Sequence, residues 1–268
     1  MVTNISGDAS KNTNNFLYPT YLFRKKLALM MLRRHLAGRS NFLEIGAGRG
    51  DFSRTLLNHV KSGEIIEFSD DAAEFLKHNL AESGIKIIKA DFSNYNFTDK
   101  YSLIAMFEVL EHLKDDQAAI KKINNILEDK GLFILSVPAK MKRWSMTDKI
   151  GGHYRRYEKN HLIKLLNDNN FQIIDFASYG FPLLNAVCFF RNMFFKLNFK
   201  KINVYQTKEK SSEYSGLGFI DFFYFKRIIA VVIKIFFSER LINLYVKTLK
   251  PFNRLDWGDG YLCLAIKK

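Results

Sequence analysis

Cysteine is close to absent: only Cys188 and Cys263 occur among 268 residues, too far apart in sequence to form a metal-ligand spacing. A reduced cytosolic compartment is the simplest reading of that scarcity. The six histidines show no H-E-x-x-H spacing and no zinc ligand set is visible, so no metal is expected. Neither a G-x-x-x-x-G-K loop nor a G-x-S-x-G elbow occurs, which leaves no signal for P-loop or nucleophile-elbow chemistry. No stretch reaches the roughly 18 uncharged apolar residues of a spanning helix. The polar start, Met1 to about Asn15, has no apolar run before a cleavage site and does not read as a secretory signal. Residues 1–20 are expected to be flexible. A repeat of fixed period and a low-complexity block are missing too, which argues against a solenoid.

Acidic residues are scarce in one half only. Residues 1–140 carry 19 Lys+Arg against 17 Asp+Glu, whereas the remainder carries 22 against 10, so the net charge of +14 is almost all in the second half. Fifteen of the 25 Phe also fall after residue 170. A basic, Phe-rich part could face anionic lipid, nucleic acid or an acidic substrate.

Apolar residues recur at helical spacing from Tyr21 to Leu36. Short apolar runs then predict strands at Phe42–Ile45, Ile65–Phe68, Lys86–Ala90, Leu103–Phe107 and Leu132–Val137. Between them, helices are expected over Ser53–Val60, Ala72–Glu82 and Gln117–Leu127, the last closed by Asp129-Lys130-Gly131. A helix at His161–Leu166, a strand at Phe171–Phe176 and a final strand at Tyr261–Ile266 complete the series. The alternation predicts an α/β, Rossmann-like, doubly wound and mostly parallel seven-stranded sheet. The domains expected are 21–180, an insertion at 181–258 and the last strand at 259–268. Within the insertion, Leu183–Phe199 and Phe219–Phe237 are apolar and interrupted by cations. Lys226, Arg227 and Lys234 share one 100° sector of a helix, a pattern suited to a membrane surface or to the roof of an apolar pocket. A core-packing helical cap is the plainer alternative.

The densest chemistry lies in Phe42-Leu43-Glu44-Ile45-Gly46-Ala47-Gly48-Arg49-Gly50-Asp51. Glycines closing a first strand let the backbone turn tightly and approach a ligand at the next helix N-terminus. Glu44 interrupts an apolar strand, Glu67 closes the second strand where a carboxylate can accept two ribose hydroxyls, and Asp91-Phe92 offers a carboxylate and an aromatic face to a purine. Alone, a G-x-G-x-G loop could also serve a dinucleotide; Asp51, at the sixth position of G-x-G-x-x-G, counts against that.

With these residues the chain resembles the class I S-adenosylmethionine-dependent methyltransferases, from about Leu36 to Asp175 and again at the last strand. The resemblance implies S-adenosylmethionine as cofactor. It places Gly46, Gly48 and Gly50 under the methionine part, Glu44 at its amino group, Glu67 at the ribose, and Asp91 with Phe92 at the adenine. Phe107-Glu108-Val109-Leu110-Glu111-His112 is similar to the turn after the fourth strand in quinone-biosynthesis O-methyltransferases. That turn sets Glu108 near the cofactor, Glu111 near the substrate and His112 as a candidate base. Trp144 and the run Gly151-Gly152-His153-Tyr154-Arg155-Arg156-Tyr157 suit a closing lid. His153 and Tyr154 are its catalytic candidates, and Trp144, Arg155, Arg156 and Tyr157 its substrate contacts; the paired guanidiniums could grip a carboxylate or phosphate. The expected activity is methyl transfer to a small or lipid-like acceptor, at oxygen. The alternatives are a nucleic-acid methyltransferase, less suited to the Phe and Ile content, and a non-catalytic binding module. A cytoplasmic location, contact with the inner face of a membrane and a homodimer complete the expectations.

Overall fold

The computed structural model describes residues 19–186, 188–189 and 239–268. The stretch 219–237, with Lys226, Arg227 and Lys234, lies outside the described residues, as do the polar start and most of 183–199.

The elements follow the predicted order. They are α1 (Pro19–Leu32), β1 (Asn41–Ile45), α2 (Asp51–Leu56), β2 (Ser62–Glu67), α3 (Asp70–Asn79), β3 (Lys86–Lys89) and β4 (Tyr101–Phe107). Then come α4 (Asp116–Ile126), β5 (Leu127–Pro138), α5 (Met146–Ile150), α6 (Lys159–Asp168), β6 (Phe171–Tyr179), α7 (Glu239–Thr248) and β7 (Gly260–Lys267). The seven strands form one sheet in the order β3-β2-β1-β4-β5-β7-β6. β1 to β5 run parallel, while β7 is antiparallel to both β5 and β6. This is the Rossmann-like, mostly parallel seven-stranded sheet that the alternation predicts.

Central strands buried on both faces need apolar residues at every position, not at alternate ones. β4 is buried along its whole length and apolar except at Ser102, whose hydroxyl donates to the Asn41 carbonyl at 2.6 Å. Leu103 and Ala105 pack with Phe23, Leu27, Phe52 and Leu76 on one face, and Ile104 and Met106 with Ile120, Ile123 and Leu162 on the other. Ile242 and Val246 of α7 join the first of these layers beside α1. Helix starts are set by local capping: Ser69 Oγ accepts from the amide of Ala72, and Asp115 Oδ1 from the amide of Ala118 at 2.8 Å.

One boundary differs in kind. Asp129-Lys130-Gly131, expected to close a helix, instead bulges within β5. Leu127 pairs with Tyr101 and Leu132 with Leu103, and Lys130 takes a positive φ of 58° between them. Leu127 is fully buried, so its side chain is worth more in the core than one further helical turn.

The chain enters the sheet at β1, winds outward to β3 and returns to the other side of β1 with β4. Connections leaving two neighbouring strands in opposite directions open a crevice at the strand C-termini. The loop after β1 and the turn after β4 both border it.

Candidate active site

Gly46, Gly48 and Gly50 all have positive φ, 68°, 56° and 76°. Gly46 and Gly50 are hemmed in: a Cβ at Gly46 would lie 2.6 Å from Val109 Cγ2, and one at Gly50 2.6 Å from Leu80 Cδ1. At Gly48 a Cβ would meet nothing within 4 Å. The bare backbone there faces open space at the start of α2, where a ligand can approach closely.

Glu44 is buried, and Ser53 Oγ donates to its Oε2. Burial pushes its carboxyl up to about 7, against the lowering effects of Ser53, Lys25 and Arg24. Glu67 accepts from the amides of Phe68 and Ser69 at 2.9 and 3.2 Å, and burial raises its pKa. Asp91 accepts from the Ser93 amide at 2.8 Å and from Asn94 Nδ2 at 3.0 Å.

Phe92 departs from its expected place. Its side chain is only 5% exposed, packed among the second core layer and tilted against Phe97. Next to an outward Asp91 the following side chain points inward, so the ring is a core residue and offers no aromatic face to the crevice. The exposed ring is Phe68, 55% accessible and directly after Glu67.

Glu108, at the end of β4, holds a positive φ of 54° without being glycine. Its Oε1 accepts from Ser136 Oγ at 2.6 Å and Tyr179 OH at 3.2 Å, and Arg24 Nη1 lies 3.5 Å away. Glu108 thus ties α1, β5 and β6 together at the mouth of the crevice. Arg24, Ser136 and Tyr179 carry no motif that would have singled them out.

The turn Leu110–His112 follows. Glu111 is 0% exposed, and neither of its carboxylate oxygens has a hydrogen-bond partner. Burial, then the neighbouring Glu108, raises its pKa well above the usual carboxylate range. His112 meets His153 edge to face, centroids 4.6 Å apart at 89°. Burial and His153 push His112 down to about 4, so it is neutral near pH 7. His153 Nδ1 lies 3.0 Å from Asp148 Oδ1 and its Nε2 4.0 Å from Glu111 Oε1. Residues 42 positions apart thereby converge, which no local spacing announces. The lid run is anchored to this turn, because the amide of Tyr154 donates to the Glu111 carbonyl at 2.8 Å. Tyr154 itself is 40% exposed, and Trp144 is half-buried just before α5.

The guanidinium grip expected of Arg155 and Arg156 is not formed. Arg155 pairs with Asp116 at 2.7 Å. Arg156 is buried, with Nε 2.8 Å from Asp148 Oδ1 and Nη1 3.1 Å from Asp259 Oδ1. Tyr157 is fully buried and donates to Asp116 Oδ2 at 3.0 Å. Arg156 and Tyr157 therefore brace the lid from beneath instead of facing a substrate. Burial opposes it, but His153 and Arg156 together hold the Asp148 carboxyl below its ordinary range.

Comparison with known proteins bears on the family and the fold. The family described as a methyltransferase domain matches residues 18–175, more than half of the chain. (S)-Coclaurine N-methyltransferase of Papaver somniferum is 25% identical over 114 residues, 41% of this chain and 32% of that protein. The chain thus covers about a third of the length of the Papaver relatives it matches. The YcgJ protein of Bacillus subtilis superposes with a TM-score of 0.55 at 14% identity, covering 90% of this chain and 97% of that one. StiE O-MT does so at 0.52 and 15% identity, covering 91% and 74%. At such identities these two structures speak for the fold alone. The open backbone at Gly48 and the carboxylates of Glu44, Glu67 and Asp91 at successive strand ends fit a ligand with an ammonium, a ribose and a purine. The chain belongs to the methyltransferase-domain family, and its fold is the one shared by those methyltransferase-like structures.

Proposed function

We propose that this chain transfers the methyl group of S-adenosylmethionine to a small-molecule acceptor, at oxygen, beside His112 and His153. The observation that carries this reading is the pair of crossed imidazoles over a buried Glu111, on a turn whose Val109 packs against Gly46 of the glycine loop. Bound S-adenosylmethionine supplies a methyl already activated on a sulfonium, so the protein mainly aligns and excludes water. In this reading Glu44 takes the ammonium, Glu67 the ribose and Asp91 the adenine, with Phe68 as the nearby exposed ring. Asp148 orients His153, and the imidazole lone pairs accept from the acceptor hydroxyl. Because the Papaver relative is by name an N-methyltransferase, nitrogen is the alternative atom. The reading extends to a lipid-like acceptor, with the basic, Phe-rich stretch 219–237 against an anionic membrane surface.

The test is incubation with methyl-labelled S-adenosylmethionine and a panel of phenols, aliphatic alcohols, amines, long-chain lipids and RNA. Label in a small or lipid-like hydroxyl compound is expected. Label in amines alone would reassign the atom, and label in RNA alone would sink the small-molecule reading.

A further inference from the structure

Trp257 combines a fixed backbone with a displayed ring. Its carbonyl accepts from Arg143 Nη2 at 2.9 Å and from Asn185 Nδ2 at 2.8 Å. The amide of the next residue, Gly258, donates to Ser178 Oγ at 2.9 Å, and a Cβ at Gly258 would lie 2.2 Å from the Tyr179 carbonyl oxygen. Yet the Trp257 side chain is 51% exposed. Its ring stands edge to face against Phe181 at 5.1 Å, and Phe181 in turn meets Phe252 at 5.8 Å. Leu255, between Phe252 and Trp257 in the chain, is exposed, as is Met141, two residues before Arg143. An anchored loop that holds apolar side chains out in water marks a contact surface. This surface lies at the crevice end of the sheet. Tyr179 pairs with Gly260, Gly260 with Pro138, and the Tyr179 hydroxyl reaches Glu108 at 3.2 Å.

We propose that this rim docks on an anionic lipid bilayer, with Phe252, Leu255 and Trp257 entering the headgroup layer and Lys142 and Arg254 at its phosphates. The charge of the rim selects that occupant. The acids of the loop 250–259 are already engaged, Asp256 by Lys140 at 3.1 Å and Asp259 by Arg156 at 3.1 Å. Glu158 accepts from the Met141 amide at 3.1 Å. Lys142 and Arg254 are exposed, next to Met141 and Leu255 in the chain, so the field over the apolar residues is positive on balance. A second copy of the chain would set like charges against each other, whereas anionic headgroups gain from each cation near the surface. A tryptophan, with an apolar ring body and a polar N–H, suits the level of the headgroups. Stacked bases fit the rim less well, because its rings meet edge to face or tilted, and Leu255 and Met141 offer no face for stacking. The chain beyond the rim has the same character. It leaves the described residues at Phe189 and returns at Glu239, and residues 190–238 hold nine Lys+Arg against three Asp+Glu, with ten Phe. This deepens the lipid-like acceptor reading and rests on it for its consequence: a docked rim turns the mouth of the crevice toward the bilayer, so a lipid-like acceptor reaches the site without crossing water.

The chain has two tryptophans, Trp144 and Trp257, so Trp144→Phe leaves Trp257 as the sole emitter. The full-length variant is mixed with vesicles of phosphatidylcholine, with or without phosphatidylglycerol. On the anionic vesicles Trp257 emission should shift to the blue and be quenched by lipids brominated close to the headgroup; on the neutral ones it should stay unchanged. Trp257→Ser combined with Leu255→Ser should weaken vesicle binding by about tenfold or more. Because the Trp257 ring also packs on Phe181, the exposed pair Lys142→Glu and Arg254→Glu supplies a second variant, expected to lose binding at low salt. Lys77→Glu, exposed on α3 at the opposite edge of the sheet, should bind like the parent. Vesicle binding with unchanged Trp257 emission would assign the contact to another part of the chain and overturn the proposal. An emission shift with RNA, or with rising protein concentration, but not with vesicles overturns it too. Methyl transfer to soluble phenols, measured without vesicles, reads the catalytic proposal separately. Its absence beside a Trp257 shift leaves the docking rim standing, and its presence without any shift removes the rim alone.

Discussion

Glu44 carries a proton question that the cofactor answers. Its carboxyl is buried beside Ser53, with Lys25, Arg24 and the Tyr21 hydroxyl as the other polar groups facing it, and is pushed up to about 7. The ionised form is the one that pairs with an ammonium, and a nearby cation favours that form. S-adenosylmethionine affinity is therefore expected to fall as pH drops from 8 to 6, approaching tenfold per unit below 7, with a proton released on binding near neutrality. Calorimetry in two buffers of different ionisation enthalpy reads both effects. A flat affinity profile would contradict the pairing. Gly48 makes the second residue-scale case. Valine there places branches into the open space above a backbone at φ 56°, a conformation that costs roughly 1–2 kcal/mol for such a residue. Gly48→Val should stay folded by circular dichroism and lose detectable cofactor binding; retained binding would move the ligand elsewhere.

Among the elements, what the sequence discloses depends on how local the cause is. The parallel strands were legible because both-face burial demands unbroken apolar runs, as in Leu103–Phe107, and the glycine loop because positive φ at Gly46, Gly48 and Gly50 demands that residue type. The bulge at 128–131 was not legible: the same Asp-Lys-Gly triplet closes helices elsewhere, and only pairing with Tyr101 and Leu103 decides between the two uses. Phe92 was misplaced for a similar reason, since side-chain direction depends on which face Asp91 occupies. The bracing of the lid was hidden altogether. Arg156 finds Asp148 eight positions before it and Asp259 over a hundred after it, joining α5 to the approach of β7, and nothing in a Gly-His-Tyr-Arg-Arg run marks one arginine as buried. Because breaking a buried pair from one side strands the other charges, Arg156→Met should lower unfolding free energy by about 3 kcal/mol or more. Arg155→Met, at a more exposed pair, should cost about 1 kcal/mol or less. Urea denaturation of the two variants side by side checks the contrast; equal, small losses would show that Arg156 does not brace the lid.

At the scale of the whole molecule the question is what the asymmetry of charge is for. The described part forms a complete sheet with its helices, and no helix among the described residues is long and apolar enough to cross a membrane. The excess of cations and of Phe in the second half is what the proposed membrane contact would use. In the sequence of 219–237, Lys226, Arg227 and Lys234 fall on one side of a helical projection, with aromatic and branched residues over most of the rest. A helix that only caps a core needs apolar residues on the side facing it, so wider coverage calls for a second apolar partner. An anionic bilayer supplies both parts, acyl chains for the rings and headgroups for the cations at about 1 kcal/mol each. Asp221 lies away from the cationic sector and weakens the attraction slightly. The chain is therefore expected to sediment with anionic liposomes at low salt and to be released at high salt, where screening shortens the reach of surface charge. A variant with Glu at Lys226, Arg227 and Lys234 should remain in the supernatant under both conditions. Equal, negligible binding by both proteins would sink the membrane contact, and a concentration-dependent shift in sedimentation velocity would then assign the same apolar surface to a second copy of the chain.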